Sequence, residues 1–406
     1  MLSPEPVLSQ ELCSRSHAKR LFMKTNMSIP IGAHDVHTED DLLIALTRLM
    51  SSNLDIQRWL IRLNTDFNNE GTAYIDTTNL PVILELRKEQ KALMNSHADP
   101  EAWFERHVQL NARKRILNGL QETQMDVIHI CRQDIFTDYK ALIEFIKRFG
   151  AVVEAEPPSI RGYVESYCLM NPNGDIQVNR GAVVLSDANY QRQGITFPQT
   201  LIHDKALAGA TKAVASRLMK YYNAIGFVTI TYCVFWDGFE EISRLWASQI
   251  SFGMDAAYGA LGTVACLTRP LDTPFGPDAL FMNVPEGRCF VHVPALCHLP
   301  LMNSRDDIFL KLCKMHGIAF DYERKTGILF FLVDSVIGGM LSFIAVAETR
   351  IKSIEFTIHA LSFILRNFGK PDERDTTNSW CSMNNILKSL KNTLKVEVGR
   401  ARAVEK

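Results

Sequence analysis

Three stretches carry residue types that could do chemistry. Trp59–Leu63 (WLIRL) reads as a strand bearing one cation, Arg62, and runs into NTDFNNEGTAYID. Strand, small polar residues, glycine and strand is the layout of a loop that cradles phosphate with inward backbone N–H groups. Gly71 is the loop's single glycine, preceded by Asn68, Asn69 and Glu70; on local grammar alone a plain hairpin turn accounts for these letters better. The second stretch crowds Cys289, His292, Cys297 and His298 together. Zinc comes to mind, but C-x2-H-x4-C-H fits no usual ligand spacing and the run alternates like a strand. The third, Ala224 to Asp255, reads as two strands around Trp236-Asp237-Gly238, with a β-branched and aromatic first strand from Phe227 to Phe235 and a second from Ser243 to Phe252. Neither strand offers an inward carboxylate.

The elements that must position these residues follow from periodicity. Ser14 to Met23 is a short amphipathic helix, Asn26 to Gly32 an extended segment, and Thr38 opens a helix with Glu39, Asp40 and Asp41 in its first turn. Residues 79 to 149 are helical and heavily charged, which reads as a solvated helix face. Ala151–Ala155 (AVVEA) is a buried strand, broken by Pro157-Pro158. Gly162–Met170, Asn171-Pro-Asn-Gly174 and Asp175–Leu185 make a hairpin, and Ala206–Asn223 a helix. Asp272–Gly287 is a Pro/Gly-rich link. Beyond it come a strand (Arg288–Leu296), a helix (Asp306–Gly317), a strand pair (Gly327–Val346), a helix (Thr349–Phe368) and a basic amphipathic tail with Ile386, Leu387, Leu390 and Leu394 against Lys388, Lys391 and Lys395. A docked terminus is the plain meaning of that tail; a calmodulin or membrane target is the alternative.

Composition narrows the classes. The chain of 406 residues is 47% hydrophobic and 22% charged, with formal net charge −1 and both signs mixed. No broad basic field indicates a nucleic acid partner. Nine cysteines without a CxxC read as free, mostly buried thiols. MLSPEPVLSQEL lacks a cationic region followed by an apolar core, so no secretory signal is expected. Gly327–Ala347 is long and apolar, but Asp334, Ser335 and Gly338-Gly339 interrupt it, and two strands around a turn explain it better than a membrane span.

Taken in order, Pro30-x-Gly32, WLIRL, NNEGTAY, AVVEAEPPS, NPNGDI, GFVTITY and WASQIS resemble an ATP-grasp fold. More narrowly, DIQRWLIRLNTDFNNEGTAYID, AVVEAEPPS and KLCKMHGIAFDYERKTGILFFL resemble the C-terminal half of the IQ-motif-containing protein H family, over roughly residues 14 to 370. The implied class is α+β: an ATP-grasp-like two-lobed fold with a C-terminal α/β extension. Its expected divisions are 1–13 (flexible), 14–150 and 151–271 (the two lobes), 272–370 (the extension) and 371–406 (the tail).

The resemblance implies ATP held between two lobes and used to phosphorylate a carboxylate. By it, Arg62 stands for a phosphate-binding strand lysine; Asn68, Asn69, Glu70 and Gly71 stand for the glycine loop, with Thr72 following; Glu154 matches an acidic residue near adenine and ribose. Glu70 would push against phosphate. Thr231, Gln249 and Ser251 fall where metal-holding carboxylates are expected, and neutral oxygens do not offset Mg²⁺–triphosphate. The expectation is a degenerate, non-catalytic interaction or scaffold module with a protein partner, without Mg²⁺, and with room for weak ATP binding at Arg62, Gly71, Thr72 and Glu154. Its setting would be cytoplasmic, in germ-line or flagellated cells. The alternative is a working carboxylate–amine ligase with relocated metal ligands; Glu240, Glu241 and Asp255 lie near in sequence but at turn or helix positions. Ile176-Gln177 is followed by Arg180-Gly181 one residue too early for an IQ motif, so calmodulin is not the expected partner.

Overall fold

The computed structural model describes residues 3–65, 69–95, 109–123, 126–238, 240–269, 284–331, 339–369 and 381–404. In chain order the elements are α1 (Pro6–Cys13), α2 (Arg15–Lys24), β1 (Gly32–Val36), α3 (Glu39–Ser52), β2 (Arg58–Leu63), β3 (Thr72–Asp76), α4 (Pro81–Met94), α5 (Gln109–Glu122), β4 (Ile128–Ile130), α6 (Tyr139–Phe149) and β5 (Ala151–Ala155). Then follow β6 (Ile160–Met170), β7 (Ile176–Val178), β8 (Ala182–Ser186), β9 (Arg192–Phe197), α7 (Asp204–Tyr222), β10 (Gly226–Asp237), β11 (Ile242–Phe252) and α8 (Ala256–Thr268). The last group is β12 (Cys289–Cys297), α9 (Asp306–Met315), β13 (Phe320–Asp321), β14 (Thr326–Phe331), β15 (Met340–Ala347), α10 (Arg350–Asn367), β16 (Cys381–Ser382) and α11 (Met383–Val404).

These elements form two compact units. The N-terminal unit comprises residues 11–161 and 235–249, and the C-terminal unit residues 1–10, 162–234 and 250–406. In the N-terminal unit the sheet runs β1-β5-β2-β3-β4. Strand alternation divides its residues between two faces. Trp59, Ile61, Leu63, Ala73, Ile75, Ala151 and Val153 point to one face and join a core with Leu42, Leu46, Ile83, Ile116 and Ile146 from α3 to α6. The opposite face carries Arg58, Leu60 and Arg62, with Asp76, Tyr74 and Thr72 as their cross-strand partners on β3. Glu154 on β5 pairs with Leu60 and so shares that polar face. Helix α3 starts at a capping box in which Thr38 Oγ1 accepts from Asp41 N–H, as the run of acids after Thr38 leads one to expect.

The C-terminal unit is organised on the large sheet, ordered β11-β10-β6-β8-β9-β12-β15-β14-β13, with β7 beside β6 and β16 beside β12. One face packs Val291, Val293, Phe309, Phe343, Ile354, Leu361 and Ile364 with Met383, Ile386 and Leu390 of α11. The basic tail is thus a docked helix: its apolar side lies in this core, and Glu397 pairs with the buried Arg350 at 3.2 Å. Gly327–Val346 is a hairpin as expected, with β14 and β15 antiparallel and Gly327 opposite Val346. Its turn lies outside the described residues, as does most of the Asp272–Gly287 link. Among the described residues no helix is long and apolar enough to cross a membrane.

Sequence reading misses several elements. Residues 1–13 were expected to be flexible, yet Pro6–Cys13 is helical; β1, β4 and β9 were not assigned either. The helical stretch between 79 and 149 is accordingly interrupted by β4, which pairs with β3.

A candidate nucleotide site in the N-terminal unit

Arg62 and Glu154, far apart in sequence, meet on the polar face of the N-terminal sheet: Arg62 Nη1 lies 3.5 Å from Glu154 Oε2. Both are about 4% exposed, so this is an interior pair. Arg62 Nη1 also donates to Ser248 Oγ at 3.3 Å. Two further cations arrive from α2, whose Ala18, Leu21 and Phe22 are fully or almost fully buried. Lys19 Nζ donates to Glu154 Oε1 at 3.1 Å and to the Pro30 carbonyl at 2.9 Å. Arg15 Nη2 donates to Asn69 Oδ1 at 2.7 Å, tying the loop to the helix. The first turn of α2 is itself held by Asn64, whose Oδ1 accepts from Ser16 N and Ser16 Oγ. Burial pushes the Glu154 carboxyl toward protonation, but Lys19, Arg62 and Arg15 outweigh it and hold it below its ordinary value.

The loop residues take specific places. Thr72, opposite Arg62 in the strand register, donates its hydroxyl to the Asn69 carbonyl at 2.8 Å. At Gly71 a Cβ would sit 2.7 Å from the Leu63 side chain, so the glycine serves close strand approach. Glu70 does not stand as an open negative charge: Arg132 Nη1 donates to its Oε1 at 3.0 Å, and Arg132 also pairs with Asp134. Arg132 offsets part of the Glu70 charge, but it shares its one positive charge with Asp134, and the three groups together stay net negative. Asn68 lies outside the described residues.

The remaining predicted positions lie on the hairpin. Thr231 is on β10, and Gln249 and Ser251 on β11; all three are half-buried. In the C-terminal unit two acids, one of them buried, are already committed. Glu165 receives Arg192 through Nε and Nη2, both at 2.9 Å, and the Tyr167 hydroxyl at 2.9 Å. Asp255 caps α8, its Oδ1 accepting from Ala257 N at 2.9 Å and Tyr258 N at 3.1 Å. Burial and the neighbouring Glu165 raise the Asp255 carboxyl above its ordinary value, against Arg192 and the backbone bonds. His292 Nε2 lies 3.4 Å from Ser342 Oγ, and burial, helped by Arg192, lowers its pKa to about 3. Among the described residues no three His, Cys, Asp or Glu side chains gather as a metal site would require. Cys168 and Cys313 are buried free thiols, each pushed up to about 12 by burial.

The family resemblance pointed to Arg62 and Glu154, but neither it nor the residue pattern pointed to Arg15 and Lys19. Their signal was faint: a lysine and an arginine four apart on a short helix, followed by proline, look like an exposed edge.

The architecture has known counterparts. Carboxyaminoimidazole ribonucleotide synthase from Aspergillus clavatus, solved with ATP, superposes with a TM-score of 0.50 at 10% identity, covering 90% of this chain and 76% of that one. The same enzyme with ADP and 5-aminoimidazole ribonucleotide gives 0.50 at 9% identity, covering 89% and 76%. At such identity the likeness concerns fold alone, and the fold is that of the ATP-grasp proteins. Within that class the IQCH-like ATP-grasp family model matches residues 6–269, and the chain belongs to this family. A curated relative, IQ motif-containing protein H of Danio rerio, is 23% identical over 388 residues, 93% of this chain. The match spans 36% of that relative's length.

Proposed function

We propose that this chain is a non-catalytic ATP-grasp-like module that serves protein interaction or scaffolding, with at most weak nucleotide binding that needs no divalent metal. One feature carries the reading: at Thr231, Gln249 and Ser251, where the resemblance expects metal-holding carboxylates, the chain has neutral side chains. The donor set does not fit a hard divalent cation. Nor do Glu165 and Asp255 supply a substitute, because Glu165 is filled by Arg192 and Tyr167, and Asp255 caps a helix. Arg62, the cation that would meet phosphate, is engaged with Glu154 and Ser248. From the family we infer a cytoplasmic setting in germ-line or flagellated cells and a protein partner.

The test pairs an ATPase assay with thermal unfolding in the presence of Mg·ATP. No Mg²⁺-dependent turnover and little stabilisation are expected. Mg²⁺-dependent hydrolysis overturns the reading in favour of a working ligase, whereas stabilisation by about 2.7 kcal/mol, the value for a ligand near 100 Kd, without turnover overturns the weak binding alone and marks a nucleotide-binding pseudoenzyme. For the scaffold role, a co-purifying partner is expected to survive Arg62→Ala and Glu154→Ala; loss of the partner in either variant would tie it to the nucleotide site.

A further inference from the structure

A cavity of about 550 Å³ in the C-terminal unit is lined by one stripe of α10 together with His316, just past α9, and Leu394 of α11. Glu355, Ile358, Ser362 and Arg366 recur at steps of three or four, the spacing of a single helix face, so the cavity is a trough along three turns of α10. Part of its lining is apolar. Ile358 and Leu394 are half-buried and Phe363 is buried, with the His316 ring centred 4.7 Å from the Phe363 ring. The charges along the stripe are opposite in sign and well separated. Glu355 and Arg366, both exposed, stand eleven residues apart, about 16 Å along the axis. Among the described residues neither has an ion pair, whereas Lys352, one turn before Glu355, holds Glu348.

This pattern selects among occupants. A small carboxylate would meet Arg366 alone and stay largely wet, because Glu355, His359 and Arg366 stand exposed rather than closing over a ligand. A chain segment suits an open trough better. Extended, it rises about 3.3 Å per residue and turns residues i, i+2 and i+4 to one side. An acid, a large apolar residue and a base at those positions cover about 13 Å, and the two charged side chains reach the remainder.

We propose that this trough docks an extended peptide segment of a protein partner, with a carboxylate on Arg366, an apolar side chain on Ile358, Phe363 and Leu394, and a cation on Glu355. This rests on the reading of the chain as an interaction module and assigns that role a surface.

The experiment titrates the full chain against fluorescently labelled heptapeptides, read by polarisation. Their pattern is Glu-Ser-Φ-Ser-Lys between two glycines, with Φ leucine, phenylalanine or valine. Binding is expected, and changing the peptide's acid to glutamine is expected to weaken it by about threefold or more. Arg366→Gln is expected to abolish that difference. Arg366→Glu is expected to reverse the preference toward Lys-Ser-Φ-Ser-Lys. Glu355→Lys is expected to shift it toward Glu-Ser-Φ-Ser-Glu, and decides the matter should the Arg366 variants not fold. No binding by any of the three peptides overturns the docking site, as does indifference to charge in the folded variants. Hexanoate bound as tightly as the peptides overturns the peptide occupant in favour of a small ligand. Such a failure leaves the non-catalytic reading standing, which falls only to Mg²⁺-dependent turnover by the wild-type chain.

Discussion

Replacing Glu154 by glutamine tests the physical core of the N-terminal unit. The substitution keeps shape and removes one charge from between Lys19 and Arg62, which stand 3.1 and 3.5 Å away. At an effective dielectric near 20, each contact has a gross Coulomb energy of about 5 kcal/mol. Desolvation of all three groups takes back most of that sum, but the variant still pays for two buried cations beside a neutral amide. Removing one partner of a buried pair costs about 3–5 kcal/mol. In a unit of this size that lowers the melting temperature by about 10 °C. The assay is urea unfolding followed by tryptophan fluorescence, to which Trp59, Trp236 and Trp246 of this unit contribute. Its pH dependence has a definite sign. The Glu154 carboxyl lies below its ordinary 4.5 in the folded protein. Its contribution is therefore present above pH 4.5 and fades as the pH falls through the folded value. The gap between wild type and variant must shrink on acidification. A cost under about 1 kcal/mol, or a gap equal at neutral and strongly acidic pH, would refute the account.

Two further outcomes can be checked in the same way. Asp255→Asn keeps an oxygen to cap α8 but removes the charge that Glu165 opposes. Because the folded Asp255 carboxyl is raised, its ionisation costs stability as pH rises, so the variant's melting temperature is expected to match wild type in acid and exceed it at neutral pH. Gly32→Ala would place a Cβ 2.0 Å from the Val153 carbonyl oxygen and part β1 from β5, whereas Gly209→Ala, in open space on α7, meets nothing. The first is expected to cost more than about 3 kcal/mol in chemical unfolding and the second to add up to about 1.

What sequence revealed of this molecule depended on how local the cause was. The strands WLIRL, AVVEA and GFVTITYCVF announce themselves because β-branched and aromatic runs need no distant partner to be recognised. β1 does not: GAHDV has little apolar alternation, Asp35 sits at φ 58, and the strand exists by pairing with β5 more than a hundred residues later. β9 is similar, since it is held between β8 and the remote β12. At the site, the motifs WLIRL and AVVEA pointed to Arg62 and Glu154 only through the family resemblance. Lys19 and Arg15 were illegible because a helix shows its spacing in sequence but not which side a second layer will cover. Glu70 shows the same limit from the other side: its meaning changed once Arg132, 62 positions away, was found bonded to it.

The docked tail helix has a consequence for encounters with other molecules. Met383, Ile386, Leu387 and Leu390 are spent on the interior, and Glu397 is clipped to Arg350, while Lys388, Lys391 and Lys395 look outward. A visitor to that surface meets ammonium groups without the greasy ridge that would normally anchor an amphipathic segment. Any attachment there would be long-ranged, loosely oriented and quickly dissolved by added salt.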